Sequence, residues 1–132
     1  MWKTPRITRA NPASAKILGA GYCGQVVDGP TGTGTFVWPT ASKWISGYTY
    51  DPDTHPAIDL GGSIGTPIYA SDTGVVVYSG WNDWGYGYVV VIDHGNGWQT
   101  LYAHLSAINV GCGQAVYQGG VIAGMGCTGN CT

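Results

Sequence analysis

Glutamate is absent from this 132-residue chain, and charge of either sign is scarce: seven Asp, five Lys or Arg, and a net charge of −2. Nothing global points to nucleic acid, and the distribution argues against it. Lys3, Arg6, Arg9 and Lys16 hold four of the five cations. From residue 17 onward Lys43 stands alone against all seven Asp, a balance that repels an anionic polymer unless a bound cation offsets it. No apolar run reaches the roughly 18 residues needed to cross a bilayer. "AKILGA" (15–20) is too short for the apolar centre of a signal peptide, so export information lies upstream or the protein is not exported. No C-x-x-C occurs among the four cysteines, and Cys127-x-x-x-Cys131 without a second pair is a weak zinc signal. Disulfides in an exported protein are the preferred use, with three possible pairings. No 11-residue window carries a helical stripe, and of the good helix formers Glu is absent while Lys and Leu are few.

What the chain does have is Gly (23), Tyr (9) and Trp (6), with Val and Thr in short runs. This composition reads as all-β, in one domain. Residues 1–34 lack periodicity and form an N-terminal arm that ends in the Gly/Thr-rich linker "DGPTGTGT" (28–35). Gly19, Gly21 and Gly24 fit G-x-G-x-x-G, but "QVVDGPTGTG" (25–34) cannot open a helix, which rules out a dinucleotide site. Residues 35–132 form the β core. "FVWP" (36–39) is strand-like and halts at Pro39. "TPIYAS" and "TGVVVYSG" flank a turn at Asp72-Thr73-Gly74. "GYVVVIDH" (87–94) alternates Tyr88, Val90, Ile92 and His94 against Gly87, Val89, Val91 and Asp93. Gly95-Asn96-Gly97 predicts a hairpin, because Gly and Asn tolerate positive φ. The return strand, 98–104, puts Trp98, Thr100, Tyr102 and His104 on one face. Two further strands meet at Gln118-Gly119-Gly120. The expected architecture is a mostly antiparallel sheet or sandwich with Gly-rich loops.

The three histidines are the candidate chemistry. His55 and Asp59 stand four apart around Pro56. Fully extended, their Cα atoms would be about 13 Å apart, too far to share one ion. A bend at Pro56-Ala57 brings them together, and imidazole nitrogen and carboxylate oxygen each sit about 2.0–2.2 Å from zinc. The residues alone leave two readings open: a two-ligand pincer, or a loop histidine capping a turn beside an Asp that bonds backbone. His104 ends a strand, where a side chain leans over a cleft; the plainer alternative is a half-buried histidine bonded to a carbonyl. His94 opens the hairpin turn and reads as an exposed turn residue.

Taken in order, "HPAIDL" (55–60), "GTPIYASDTGVVVYSG" (65–80), "GYGYVVVIDHGNGWQTLYAHLS" (85–106) and "VGCGQAVYQGGVIAGMGCTGNCT" (110–132) resemble the lysostaphin-type zinc metallopeptidases, the Gly-Gly endopeptidase family of peptidoglycan hydrolases. "FVWPT…ISGYTY" (36–50) suits the entry to that domain. The resemblance implies a β core with a shallow groove, Zn2+ bound by His55 and Asp59, and His104 of "YAH" as a catalytic base or orienter. The implied reaction is hydrolysis of a peptide bond in peptidoglycan stems or crosslinks, in the bacterial envelope or outside the cell. Tyr48, Tyr50, Trp81, Trp84 and Tyr86 flank the expected groove, where they either contact substrate or simply pack.

Family members continue past this point into a G-P-H-L-H-F-E-like strand that supplies a third ligand and a second catalytic histidine. The 132 residues contain no H-x-H. Three readings compete: a fragment without activity by itself, which is preferred; a non-catalytic wall-binding or activator module on the same fold; or a metal site completed by another side chain such as His104. The resemblance also suggests a disulfide from Cys127 to Cys131, or from Cys112 to one of them, bracing the terminal loop; the plain alternative is buried thiols. Asn130-Cys131-Thr132 fits a glycosylation sequon, which a bacterial enzyme would not use.

Overall fold

A computed structural model describes residues 23, 29–41, 60, 62–82, 85–95 and 97–128. Seven strands run in chain order: β1 Pro67–Tyr69, β2 Gly74–Asn82, β3 Gly87–Asp93, β4 Gln99–Leu105, β5 Ala107–Ile108, β6 Ala115–Val116 and β7 Val121–Gly124. Among the described residues there is no helix, and every strand pair is antiparallel. Four strands form one sheet in the order β4-β3-β2-β6, and three form another, β1-β7-β5. Sequential neighbours β1 and β2 therefore belong to different sheets, as do β6 and β7. Their connecting turns carry the chain from one layer to the other.

The period-2 alternation of the valine runs explains the layering. Val76, Val90 and Ile92 face inward and pack with Ile68, Tyr102, Leu105 and Ile122. Val75, Val77, Val89 and Val91 face the opposite way into a second cluster with Tyr78. The central strands are thus buried on both faces, which is why they read as continuous apolar runs. Each fully buried Val or Ile is worth about 1.5–3 kcal/mol. At Gly74, where β2 begins, an added Cβ would lie 2.5 Å from the Asp93 carbonyl oxygen. Glycine there lets β2 approach β3 closely.

Residues 29–41 form no strand. The expected strand at 36–39 is instead an irregular segment tied by isolated bonds, Val37 N–H to Ser71 O (2.9 Å) and Tyr69 N–H to Pro39 O (2.6 Å). Pro39 has no N–H with which to continue a ladder.

Cys23 and Cys112 are joined by a disulfide that closes a separation of 89 residues. The suggested pairing of Cys112 with a C-terminal cysteine is therefore corrected. Chain-entropy arguments put closure of a loop this long at about 4–5 kcal/mol. Cys127 is also disulfide-bonded and exposed, so it is neither a buried thiol nor a zinc thiolate. Cys131 and the sequon fall outside the described residues.

Candidate active site around His104

The β3–β4 hairpin brings a histidine to each of its ends. Pairing between the strands is regular from Asp93↔Gln99 through Val90↔Tyr102 and then slips, so that Tyr88 faces Leu105. Between these last two pairs β3 advances two residues and β4 three, which is a β-bulge at Ala103-His104. The predicted alternation holds for Thr100 and Tyr102, whose hydroxyls are 2.7 Å apart, and ends at the bulge. Bulges re-aim side chains, and here the re-aimed residue is His104. Its φ is 58°, unlike that of any other non-glycine among the described residues. Histidine tolerates this region better than most side chains, but at a cost of about 1–3 kcal/mol.

Several contacts hold the conformation. The His104 N–H donates to Tyr86 O (2.7 Å), and its carbonyl accepts from Thr128 N–H (3.3 Å). Its ring Nδ1 lies 2.7 Å from Thr128 O. A carbonyl oxygen only accepts, so Nδ1 carries the proton and a neutral ring presents a bare Nε2. The ring is half-buried, and among the described residues Nε2 has no hydrogen-bond partner. The half-buried, carbonyl-bonded histidine anticipated from the sequence is thus what the structure contains. That geometry also suits general-base work, because the held nitrogen sets the free one.

Exposed aromatics lie on β2 and around the start of β3. Trp81 and Tyr88 meet edge to face, 5.2 Å between ring centroids, and each is 41% exposed. Tyr86, whose carbonyl holds His104, is likewise exposed. Of the five aromatics expected along the groove, Trp81 and Tyr86 are at the surface, and the Tyr86 main chain bonds His104. Tyr48, Tyr50 and Trp84 lie outside the described residues, and Tyr88 is an addition.

His94 corrects the reading of an exposed turn residue: it is fully buried. Its Nδ1 is 2.8 Å from Thr73 O, and its Nε2 is 2.9 Å from Thr100 Oγ1. The Tyr102 phenol adjoins that hydroxyl and accepts from Ser71 N–H (3.0 Å). With its proton turned to Nε2, Thr100 serves a neutral ring; turned to the phenol, it accepts from a charged one. Either way both ring nitrogens are engaged. The distant segment 29–36 provides the cover: Phe36 packs edge-on against His94 and Trp98, and Gly32 N–H donates to His94 O.

Asp72 anchors that cover. Its carboxylate accepts from the N–H groups of Gly34 (2.9 Å), Thr73 (2.8 Å) and Thr33 (3.2 Å). Burial by itself raises its pKa. The N–H groups of Gly34, Thr73 and Thr33, with the charge of His94, outweigh burial and hold the group below the ordinary 3.8. Burial pushes the Tyr102 phenol above 10.0, against its bonds with Ser71 and Thr100.

His55 and Asp59 lie outside the described residues, so their placement relative to His104 is not part of this geometry. Among the described residues no group of three or more His, Cys, Asp or Glu is arranged to hold a metal. What the described site offers a metal centre is an imidazole with a fixed tautomer and a bare nitrogen. Such a ring suits a base beside a metal and a metal ligand alike. Neither Thr128 nor the bulge is foreseeable from the sequence, since a main-chain acceptor leaves no residue-type signal.

Likeness to known proteins agrees with this geometry. Residues 53–132 match the sequence model of Peptidase family M23. An uncharacterized lipoprotein of Escherichia coli, YgeR, is 40% identical over 99 residues, covering 75% of this chain and 39% of the relative. The peptidoglycan DD-endopeptidase ShyA of Vibrio cholerae is 39% identical over 105 residues, covering 72% and 24% respectively. The chain thus spans well under half the length of either relative. The catalytic domain of the antimicrobial peptidase lysostaphin from Staphylococcus simulans superposes with a TM-score of 0.58 at 29% identity, over 89% of this chain and 77% of that one. An all-β fold of paired antiparallel sheets, an ordered set of matching segments and a family match over most of the chain agree: this chain belongs to peptidase family M23.

Proposed function

We propose that the chain is the zinc-dependent endopeptidase domain of a peptidoglycan hydrolase, with His55 and Asp59 as metal ligands and His104 as general base or orienter. Zn2+, when bound, would supply Lewis acidity toward the scissile carbonyl and acidify a water. His104 would then take or steady a proton at Nε2, since Nδ1 is committed to Thr128 O. That commitment is the observation that carries the reading, because it leaves Nε2 of a half-buried ring as the nitrogen without a partner among the described residues. Trp81, Tyr86 and Tyr88 would bind the peptide through their exposed faces. The envelope or cell exterior is the proposed location. The lipoprotein and wall-enzyme relatives support it, and so does the Cys23–Cys112 disulfide, which needs an oxidising compartment to persist.

The test is zinc content and turnover of purified peptidoglycan, measured on the 132-residue chain and on one continued by an H-x-H strand. The continued protein is expected to bind zinc and release peptide fragments. His55→Ala or Asp59→Ala in it should abolish both, since each removes one of three protein ligands. A continued protein that binds peptidoglycan but releases nothing would be a wall-binding or activator module instead.

A further inference from the structure

We propose that Thr128 is a positioning residue that sets the tautomer and direction of the His104 ring. As a statement about catalysis, this rests on the reading of His104 as the base. Thr128 meets the β4 bulge through every polar group it has. Its carbonyl receives His104 Nδ1–H at 2.7 Å, and its N–H donates to His104 O at 3.3 Å. Its hydroxyl donates to Leu105 O (2.7 Å) and accepts from Tyr88 N–H (3.0 Å). The bulge shifts Leu105 to the position opposite Tyr88. Thr128 Oγ1 therefore bridges the two strands where their ladder slips, standing in for the pairing the bulge disrupts.

Close approach of the two segments depends on Gly126. A Cβ there would sit 2.7 Å from the Leu105 carbonyl carbon and 2.8 Å from His104 O. Residues 126–128 can therefore lie directly on the end of β4, which puts the Thr128 carbonyl within reach of the ring. An imidazole in water exchanges freely between tautomers. One whose Nδ1 faces a fixed carbonyl does not, because the alternative form would set a lone pair against the oxygen. The hydroxyl bonds hold that carbonyl still, so removing the hydroxyl should release the ring although the hydroxyl never touches it.

The experiment is a long-range 1H–15N correlation of the His104 imidazole, recorded at a pH of about 8, above the ordinary imidazole range. The wild-type chain should show Nδ1 protonated and Nε2 bare. Thr128→Val, nearly isosteric, should move both nitrogens toward tautomer-averaged shifts, and Thr128→Ser should restore the wild-type pattern. Thr128→Ala gives the same reading without the second methyl, in case Val does not fold. In the protein with a complete metal site, Thr128→Val should lower kcat about 10-fold or more while KM stays put. A wild-type His104 protonated at Nε2, or a pattern unmoved in the Val and Ala variants, overturns the proposal without any assay of activity. A shifted tautomer with unchanged turnover upholds the clamp and removes His104 from the chemistry.

Discussion

The β3–β4 hairpin holds two histidines ten residues apart, and its two ends treat them oppositely. At the turn, His94 is sealed under Phe36 with both ring nitrogens bonded to the protein. At the bulge, His104 is half-buried, held in a left-handed conformation, with one nitrogen committed and the other bare. The same side chain on the same pair of strands is thus locked at both nitrogens at one end and at one nitrogen at the other. What separates the two is whether a ring nitrogen is left without a bond among the described residues. Exposure alone would not show this, since a half-buried ring with both nitrogens satisfied would be as inert as His94.

Exchanging losses at the two ends is the sharpest way to break the comparison. His104→Ala in the protein with a complete metal site should slow peptidoglycan turnover by about 100-fold or more, the scale of general acid–base help. Zinc should stay bound, and the melting temperature should fall by less than in the His94 variant below, since the one bond lost, to Thr128 O, is only partly buried. His104→Gly should be as inactive but more stable than His104→Ala by about 1 kcal/mol, because glycine adopts positive φ without strain. Loss of zinc in either variant would make His104 a ligand and not a base.

His94→Leu should do the reverse. It leaves the Thr73 carbonyl and the Thr100 hydroxyl without their ring partners in a dry site. The expected loss is about 2 kcal/mol of stability, or on the order of 6–8 °C in the melting temperature. Turnover per folded molecule should stay near wild type. A large fall in turnover by fully folded His94→Leu protein would mean that the turn end takes part in the reaction and that the two histidines do not divide the work.

Legibility from sequence splits along the same line. Local physics is legible. Gly95-Asn96-Gly97 marks the turn, the valine runs mark two-faced strands, and Thr100 and Tyr102 fall on one face as alternation requires. The fold class comes from those strands together with the absence of any helical stripe. What stays hidden depends on contacts made across long stretches of chain. His94 reads as exposed because its lid, Phe36, is 58 residues away in a short segment whose sequence does not say where it packs. The bulge has no composition cue, and Thr128 acts partly through a main-chain oxygen that every residue has. The Cys23–Cys112 bond is likewise one of three pairings that spacing leaves open. His104 stands out through family resemblance and not through its own surroundings.

The smallest effect expected is one of pH, and it should be confined to the turn end. Asp72 ties the covering segment to the turn through the N–H groups of Gly34, Thr73 and Thr33, and its folded-state pKa lies below 3.8. The folded state therefore favours the carboxylate. The stability this contributes is present in full above the unfolded-state value and is lost as pH falls through the lowered one. Asp72→Asn removes the charge, and with it this share of stability, at every pH. The mutant should melt below wild type at about pH 6, and the gap should narrow as pH falls below the unfolded-state value and through the lowered one, where wild type loses the same charge. A gap that stays constant over that range would show that Asp72 holds the loop by shape and hydrogen bonding alone. A gap that widens in acid would mean its pKa is raised, with burial dominating over the N–H donors. Among the described residues His104 at the bulge bonds main-chain groups and no carboxylate, so the tautomer pattern of Asp72→Asn should match wild type. If it did not, the two ends of the hairpin would be coupled through β4, and the division of labour between the histidines would have to be replaced by a single network.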